Sequence, residues 1–299
     1  VNPCGWHEID VERIMKESHV RVEEVYLANS PPRPVEREDA PTLRILSFST
    51  TRYGAKGTPK PQRDPIAIIS LATNSGEEIQ FIAEESDRTV IKDFIRFVQD
   101  FDPDIISGYG TNVTEWPYLL ERSRRNSLKL LVDRSGSEPR TSTYGHISVT
   151  GRANVDLYEF ADEVPEVKIK TLENIAGYLG VMNAEERTLI EETEIPTLWE
   201  DLEKRRLLLR HSMENARSIL GIAQALLDFA IQLSNLVGLP LDQVGTAAVG
   251  FRTESYLMKQ AHKTGELIPP RSVRPPFPYA GAMVEVELGL EIRPDKVYE

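Results

Sequence analysis

The order of hydrophobic patterns between residues 43 and 98 constrains the fold of this chain more than any other feature. Residues 43–48 and 66–71 are apolar runs of strand length, and residues 78–82 alternate between polar and apolar side chains. Turn-forming residues separate the last two runs. Apolar side chains then recur at helical spacing over residues 90–98. The sequence therefore predicts an antiparallel meander of three strands followed by a helix.

Further strands and helices follow along the rest of the chain. Short strands are predicted at residues 104–108, 146–149 and 155–158, the last two as a hairpin, and helices at residues 115–126, 172–179, 197–208 and 211–236. This order predicts an α/β fold in which helices flank a mixed sheet. It fits a ribonuclease-H-like sheet, but the order alone leaves several α/β folds open.

The charge balance limits the classes of partner. The 299 residues include 35 Lys and Arg against 47 Asp and Glu, which gives a formal net charge of −12. Strong autonomous binding of nucleic acid requires clustered positive charge, so this balance argues against it. A basic cluster within residues 122–134 stays open as a local contact surface, although a solvated surface is the simpler interpretation.

Three features bear on the compartment. The most apolar stretch, residues 219–239, is interrupted by polar residues such as Gln224 and Asp228, so it predicts a buried amphipathic helix rather than a membrane span. The first residues lack the pattern of a signal peptide, and the single cysteine, Cys4, excludes an internal disulfide. We therefore expect a cytoplasmic protein with no membrane partner, and we expect both ends of the sequence to lie inside a longer protein.

Widespread catalytic motifs do not occur in the sequence. It contains no Gly-rich phosphate loop, no nucleophile elbow and no helix motif with paired histidines. The five histidines are scattered, which favours a structural or surface role for each. Any catalytic site must therefore be sought in carboxylates.

Four segments instead resemble the 3′–5′ exonuclease domain of family B DNA polymerases, especially the archaeal ones. Residues 108–119 (Gly-Tyr-Gly-Thr-Asn-Val-Thr-Glu-Trp-Pro-Tyr-Leu) look like the second exonuclease motif of that family, Gly-Tyr-Asn-x-x-x-Phe-Asp-x-Pro-Tyr. Residues 151–158 and 170–180 are similar to a strand and a helix that follow it, and residues 254–290 resemble the segment leading to the palm. Each piece is weak alone, but the ordered set is specific.

The resemblance implies a ribonuclease-H-like α/β fold of the 3′–5′ exonuclease type and three regions. Residues 1–40 would be the tail of the polymerase N-terminal domain and a Pro-rich linker, residues 41–245 the exonuclease-type domain, and residues 246–299 a connector and the start of the palm. The implied partners are the rest of the polymerase chain, DNA bound through the full-length polymerase, and replication factors.

The resemblance also implies where metal ligands should lie. The family holds two divalent cations with an Asp-x-Glu pair on the first strand, an Asp in the second motif and an Asp in a Tyr-x-x-x-Asp helix. The matching positions here, with the Tyr position included, are Ser49, Thr51, Glu115, His211 and Asn215. Three of the four acidic positions are neutral, so the formal charge of the ligand set is −1 instead of −4.

Mg²⁺ and Mn²⁺ require anionic oxygen ligands, and two of them carry a total charge of about +4. We therefore expect no catalytic residue and no metal in this region, with Glu115 as the one candidate ligand and Mg²⁺ or Mn²⁺ relevant only if the exonuclease is active. Glu214 does not replace Asn215, because one helical step turns it about 100° away. Asp156 is not among the four ligands in the family either.

The sequence leaves three functions open. The favoured one is an inactivated exonuclease-type domain that serves as a structural platform and guides DNA in replication or repair. The alternatives are a functioning exonuclease with unconventional metal ligands and a protein-interaction module of an inactive polymerase relative. Candidate DNA contacts are Tyr109, Asn112 and Arg122, although helix packing is the simpler role for the aromatic residues of this segment.

Overall fold

The computed structural model describes residues 6–37, 41–55, 57–142, 145–161, 163–182 and 187–269. Its strands are β1 (Trp6–Glu8), β2 (Val11–Ile14), β3 (Val25–Ala28), β4 (Arg33–Val35), β5 (Ile45–Arg52), β6 (Ile66–Thr73), β7 (Glu78–Ile82), β8 (Ile105–Gly108), β9 (Arg140–Thr141), β10 (Ile147–Ser148) and β11 (Ala153–Asp156). Its α-helices are α1 (Asp87–Phe101), α2 (Trp116–Arg125), α3 (Leu157–Ala161), α4 (Leu172–Tyr178), α5 (Ile195–Glu200), α6 (Arg205–Val237), α7 (Leu241–Val244) and α8 (Val249–Thr264). A π-helix, Thr111–Glu115, precedes α2.

A five-stranded mixed sheet in the order β11-β8-β5-β6-β7 forms the centre of the molecule. The strands β5, β6 and β7 are antiparallel neighbours, which confirms the predicted meander. The strand β8 runs parallel to β5, and β11 runs parallel to β8. The sheet and its flanking helices confirm the predicted α/β class.

The predicted hairpin of residues 146–149 and 155–158 is wrong. The strand β10 pairs with β9, and the isolated bridge of Val149 goes to Arg152, which lies outside the second predicted strand. Gly151 has a φ of 80° and turns the chain, so that β11 continues along β8 instead. Tyr158 lies in α3 rather than in a strand.

Side chains alternate between two cores on either side of β5, because successive residues of a strand point to opposite faces. Leu46 and Phe48 pack in the core beneath α1 and α2, whereas Ile45 packs on the opposite side with α6. The ring centroid of Phe48 lies 5.5 Å from that of Phe94 and 5.1 Å from that of Trp116. This alternation decides which side chains of β5 reach α6.

The helix α6 is longer than predicted and begins earlier. The predicted helix 197–208 is wrong, since α5 ends at Glu200 and α6 starts at Arg205. The carboxylate of Asp201 accepts hydrogen bonds from the backbone N–H groups of Glu203 and Lys204, at 3.0 and 3.3 Å, which stabilises the intervening turn. The chain then continues through residue 237 without the break expected at residues 209–210.

Among the described helices, α6 alone is long and apolar enough to cross a membrane by length and composition. A core helix of a globular domain meets the same criterion. Here Ile219 and Ile222 of α6 pack in the core beneath the sheet, as the amphipathic pattern predicted.

The first described residues form two small antiparallel sheets, β1 with β4 and β2 with β3. The strand β4 lies inside the Pro-rich stretch predicted as a linker, so part of that stretch is structured. The backbone N–H of Arg21 donates to the carbonyl of Arg134, at 2.8 Å, and joins this region to the main domain. The predicted strand at residues 279–287 and the start of the palm lie outside the described residues.

Candidate functional site

The β5 strand presents Ser49 and Thr51 to α6. Thr51 Oγ1 donates a hydrogen bond to Ser212 Oγ, at 3.1 Å, and Ser212 Oγ is 2.7 Å from Ser70 Oγ on β6. Ser49 is opposite Ser70 in the β5–β6 register, and it lies on the same face of β5 as Thr51. The two first-strand positions therefore lie among hydroxyl groups rather than carboxylates.

The remaining acidic position, Glu115, lies on the opposite face of β5. Its carboxylate accepts a hydrogen bond from Thr50 Oγ1, and Arg52 Nη2 lies 2.9 Å from its Oε1. The side chains of Arg52 and Glu115 are only 15% and 14% exposed, so this ion pair is largely screened from water. The guanidinium carbon of Arg52 also lies 4.5 Å from the centre of the Tyr118 ring.

The structure thus separates the predicted ligand positions. Ser49 and Thr51 face α6, whereas Glu115 contacts Thr50 and Arg52, whose side chains lie on the other face of β5. Glu115 does not join the two hydroxyl positions in one pocket. The one carboxylate of the set is already neutralised by Arg52.

The π-helix that carries Glu115 is held by Asp156. This buried carboxylate accepts backbone N–H groups from Gly110 at 2.7 Å, from Asn112 at 2.8 Å and from Tyr158 at 3.1 Å. Burial raises the pKa of Asp156 despite these hydrogen bonds. Asp156 therefore caps this segment. Within the described residues, its hydrogen bonds go to backbone N–H groups and not to the predicted metal-ligand positions.

Two of the predicted DNA contacts are held by neighbouring segments of the chain. The hydroxyl of Tyr109 donates to the carbonyl of Lys170 at 2.6 Å. Asn112 is buried, and its Oδ1 accepts the backbone N–H of Ile147 at 2.9 Å and Nδ2 of Asn154 at 3.1 Å. Both side chains therefore fix local structure, and their contact with DNA stays a prediction.

Arg122, the third predicted DNA contact, binds a buried carboxylate. Its Nε and Nη2 donate to the two oxygens of Asp87, at 2.6 and 2.9 Å, and its Nη1 donates to the carbonyl of Pro61 at 3.1 Å. Burial alone would raise the pKa of Asp87, but the hydrogen bonds, chiefly from Arg122, lower it. Arg122 thus joins α2 to the start of α1, and its contact with DNA stays a prediction.

The third motif lies in the first part of α6. His211 Nδ1 is 2.6 Å from the carbonyl of Thr188, so that nitrogen carries the proton, and its Nε2 is 3.3 Å from Nδ2 of Asn215. Burial lowers the pKa of His211, which keeps the imidazole neutral at pH 7. The two predicted positions are therefore brought together as a neutral pair.

A residue that the sequence did not single out completes this region. The side chain of Arg187 is 1% exposed; its Nη2 donates to Oδ1 of Asn215 and lies 3.3 Å from Glu173 Oε1. Its Nε and Nη1 are buried and have no hydrogen-bond partner among the described residues. No motif marks Arg187, whereas Arg52 could have been noticed as a cation within the ligand-bearing strand.

The donors present do not fit a pair of divalent cations. Hydroxyl, amide and imidazole groups occupy the predicted positions on the α6 side, and arginines contact Asn215 and Glu115. In the described part of the chain, no three His, Cys, Asp or Glu side chains are grouped so as to hold a metal ion. Mg²⁺ and Mn²⁺ favour clustered anionic oxygens, which this arrangement does not supply.

The described residues form an α/β domain in which helices flank a mixed five-stranded sheet. The sequence model described as DNA polymerase family B, exonuclease domain, matches residues 1–175. DNA polymerase 2 of Aeropyrum pernix is 41% identical over 287 residues, which cover 94% of this chain and 36% of that protein. The DNA polymerase of Archaeoglobus fulgidus is 36% identical over 260 residues, covering 86% of this chain and 32% of that protein.

Among solved structures, the family B DNA polymerase of the hyperthermophilic archaeon Pyrobaculum calidifontis superposes with a TM-score of 0.85 at 44% identity. The match covers 94% of this chain and 37% of that one. This chain therefore belongs to DNA polymerase family B and carries its exonuclease domain, with the ribonuclease-H-like fold that the sequence predicted. It spans about a third of the length of these relatives.

Proposed function

We propose that this exonuclease domain does not cleave DNA and serves as a structural platform within a DNA polymerase that acts in replication or repair. The observation that carries the proposal is the ion pair between Glu115 and Arg52. Of the four acidic ligand positions, only Glu115 keeps a carboxylate, and its charge is neutralised within the protein. Two-metal hydrolysis requires both cations to be held by clustered anionic oxygens.

The platform role rests on contacts at both ends of the domain. The N-terminal strands join it through Arg21 and Arg134. At the other end, Ser255 Oγ of α8 donates to the carbonyl of Val237, the last residue of α6, at 2.9 Å. We propose the division at residues 1–40, 41–245 and 246–299, with a polymerase N-terminal domain and palm as the neighbours of the exonuclease domain.

A nuclease assay tests the proposal. The chain is incubated with 3′-labelled single-stranded DNA and Mn²⁺ over a long time course, beside Glu115→Ala and the control Asp93→Ala. Asp93 is an acidic residue of α1 that pairs with Arg96 and is absent from the groove lining beside α2. We expect no cleavage by any of the three proteins. Cleavage that Glu115→Ala removes and Asp93→Ala retains would establish an exonuclease with unconventional ligands.

Guidance of single-stranded DNA is part of the proposed role and has its own support. A groove of about 490 Å³ runs beside α2, with Arg124, Gln62 and Tyr118 among its lining residues. Binding of a labelled oligonucleotide, measured by fluorescence anisotropy, should weaken steeply as salt is raised, and Arg124→Ala should weaken it further. Affinity that is unaffected by both salt and Arg124→Ala would exclude this part of the role.

The same measurement with Lys92→Ala provides a matched control. Lys92 lies on α1 and is absent from the groove lining, so the loss of one positive charge there should leave DNA affinity nearly unchanged. An equal loss for both variants would indicate a general effect of charge rather than binding in the groove.

A further inference from the structure

We propose that Arg187 replaces a divalent cation as the resident counter-charge beside α6, and that it keeps this region closed to metal even when acidic ligands are restored. The inference rests on the proposed loss of nuclease activity and goes further, because it names the group that maintains the loss. It concerns a side chain that belongs to none of the exonuclease motifs.

The position of Arg187 supports this role. Its Nη2 contacts Asn215, the position at which the family places its last acidic ligand, and it also lies 3.3 Å from Glu173 Oε1. Glu214 adds a second nearby negative charge, since its field acts on Arg187. One buried guanidinium therefore lies between a former ligand position and the carboxylate of Glu173, while Glu214 also pairs with Arg210 at 2.7 Å.

Among the described residues, fewer side-chain nitrogens of Arg187 have a hydrogen-bond partner than in Arg122 or Arg152. Arg122 uses Nε, Nη1 and Nη2, and Arg152 uses Nε and Nη1, to bind protein oxygens. Arg187 instead has two buried donors, Nε and Nη1, without a partner in the described ranges. Within the described residues, Nε and Nη1 therefore have capacity for a further acceptor.

The free donor capacity of Arg187 determines the expected effect of introducing a carboxylate at position 215. A guanidinium binds a carboxylate through two parallel N–H donors, more tightly than it binds a neutral amide oxygen. An aspartate at position 215 would therefore pair with Arg187 instead of remaining available to a metal ion. Restoring the ligands without removing this cation would produce a buried ion pair and not a metal site.

A thermal-stability cycle tests the pairing without any metal. We would measure melting temperatures in EDTA for Asn215→Asp, Arg187→Gln and the double variant, with Arg217→Gln as a surface control on α6. Asn215→Asp should raise the melting temperature when Arg187 is present and lower it in the Arg187→Gln background. Arg217→Gln should leave the effect of Asn215→Asp unchanged, because Arg217 pairs with Glu78.

Calorimetry tests the consequence for metal. The variant Ser49→Asp, Thr51→Glu, Asn215→Asp should bind Mn²⁺ at least tenfold more weakly than the same variant with Arg187→Gln. Equal Mn²⁺ affinities, or an effect of Asn215→Asp on the melting temperature that does not depend on Arg187, would overturn the inference. If the triple and quadruple variants do not fold, the melting temperatures of the single and double variants still test whether Arg187 pairs with position 215.

The outcomes separate this inference from the proposed function. Cleavage of DNA by the natural chain would contradict the proposed function, whatever the stability cycle shows. An intact proposed function with no coupling between positions 187 and 215 would contradict only the role of Arg187. Arg187→Lys keeps the charge and should retain part of the coupling, which distinguishes a charge effect from a change in packing.

Discussion

At the scale of single residues, arginines contact two of the predicted metal-ligand positions, Glu115 and Asn215. Arg52 contacts Glu115, and its Nε donates to Thr50 Oγ1 at 3.3 Å while its guanidinium covers the ring of Tyr118. One side chain thereby neutralises the single carboxylate of the ligand set and ties β5 to α2. Because Arg52 balances the charge of Glu115, this carboxylate needs no dissolved cation as a counter-ion.

Removal of Arg52 should destabilise the domain. In Arg52→Ala, Glu115 stays largely buried without its counter-charge, and we expect a loss of about 1–3 kcal/mol in the free energy of unfolding. Urea denaturation measures it. The double variant Arg52→Ala, Glu115→Gln should recover part of the loss, since no charge is then left unpaired. A double variant less stable than the sum of both single losses would contradict the role of this pair.

His211 predicts a pH dependence of stability. Its pKa in the folded protein is below the ordinary value of 6.5, so the unfolded chain takes up a proton first as the pH falls. Stability should therefore decrease as the pH is lowered from 7 through 6.5 and further, and His211→Gln should reduce this slope. The control is His262→Gln at an exposed position of α8. Equal slopes for the natural chain and His211→Gln would contradict the prediction.

At the scale of elements, the close approach of β8 and the π-helix fixes the segment that carries Glu115. A Cβ atom at Gly108 would lie 2.1 Å from Cγ2 of Thr111, a distance that no side chain tolerates without movement. The turn from strand to helix therefore requires glycine at position 108 for steric reasons. Gly108, the first residue of the segment that resembles the second exonuclease motif, thus has a structural use that does not depend on catalysis.

Gly108→Ala should cost about 1–3 kcal/mol of stability, because the added methyl group overpacks this turn. Thr111→Ser removes Cγ2 and should restore much of the loss in the double variant. Thermal denaturation of the two single variants and the double variant measures the coupling. Additive losses from the two substitutions would show that the contact does not limit the turn.

Several elements could be predicted from the sequence, and others could not. The meander β5-β6-β7 and the helix α1 follow from local hydrophobic periodicity. The pairing of β11 with β8 and the start of α6 at Arg205 depend on contacts distant in sequence and on the Asp201 turn. At the site, motif matching identified the positions of Ser49, Thr51 and Glu115. It could not predict that Glu115 contacts the face of β5 opposite to Ser49 and Thr51, because that contact depends on the three-dimensional structure.

At the scale of the whole molecule, a charged network joins the parallel strands to the N-terminal region. Arg134 and Arg152 both donate to Asp102, Arg134 also binds Asp104 at 2.8 Å, and the carbonyl of Arg134 accepts the backbone N–H of Arg21. The network connects segments that are distant in sequence. It makes the stability of the domain sensitive to acid.

Burial opposes ionisation of Asp102, but Arg134 and Arg152 lower its pKa to about 2. A carboxyl group with a lowered pKa stabilises the fold above its unfolded value and loses that contribution as the pH falls toward the folded value. Stability from this network should therefore be complete above pH ~4 and be lost between pH ~4 and about 2. Urea denaturation of Asp102→Asn should show a smaller loss over that interval, and an unchanged loss would contradict the assignment.

We propose that this exonuclease domain has exchanged its metal-binding charges for internal ion pairs, such as the pair of Glu115 and Arg52. Titration calorimetry of Mn²⁺ into the natural chain tests it most directly. We expect no saturable binding at millimolar Mn²⁺. Saturable binding of two ions per chain that Glu115→Gln abolishes would contradict it.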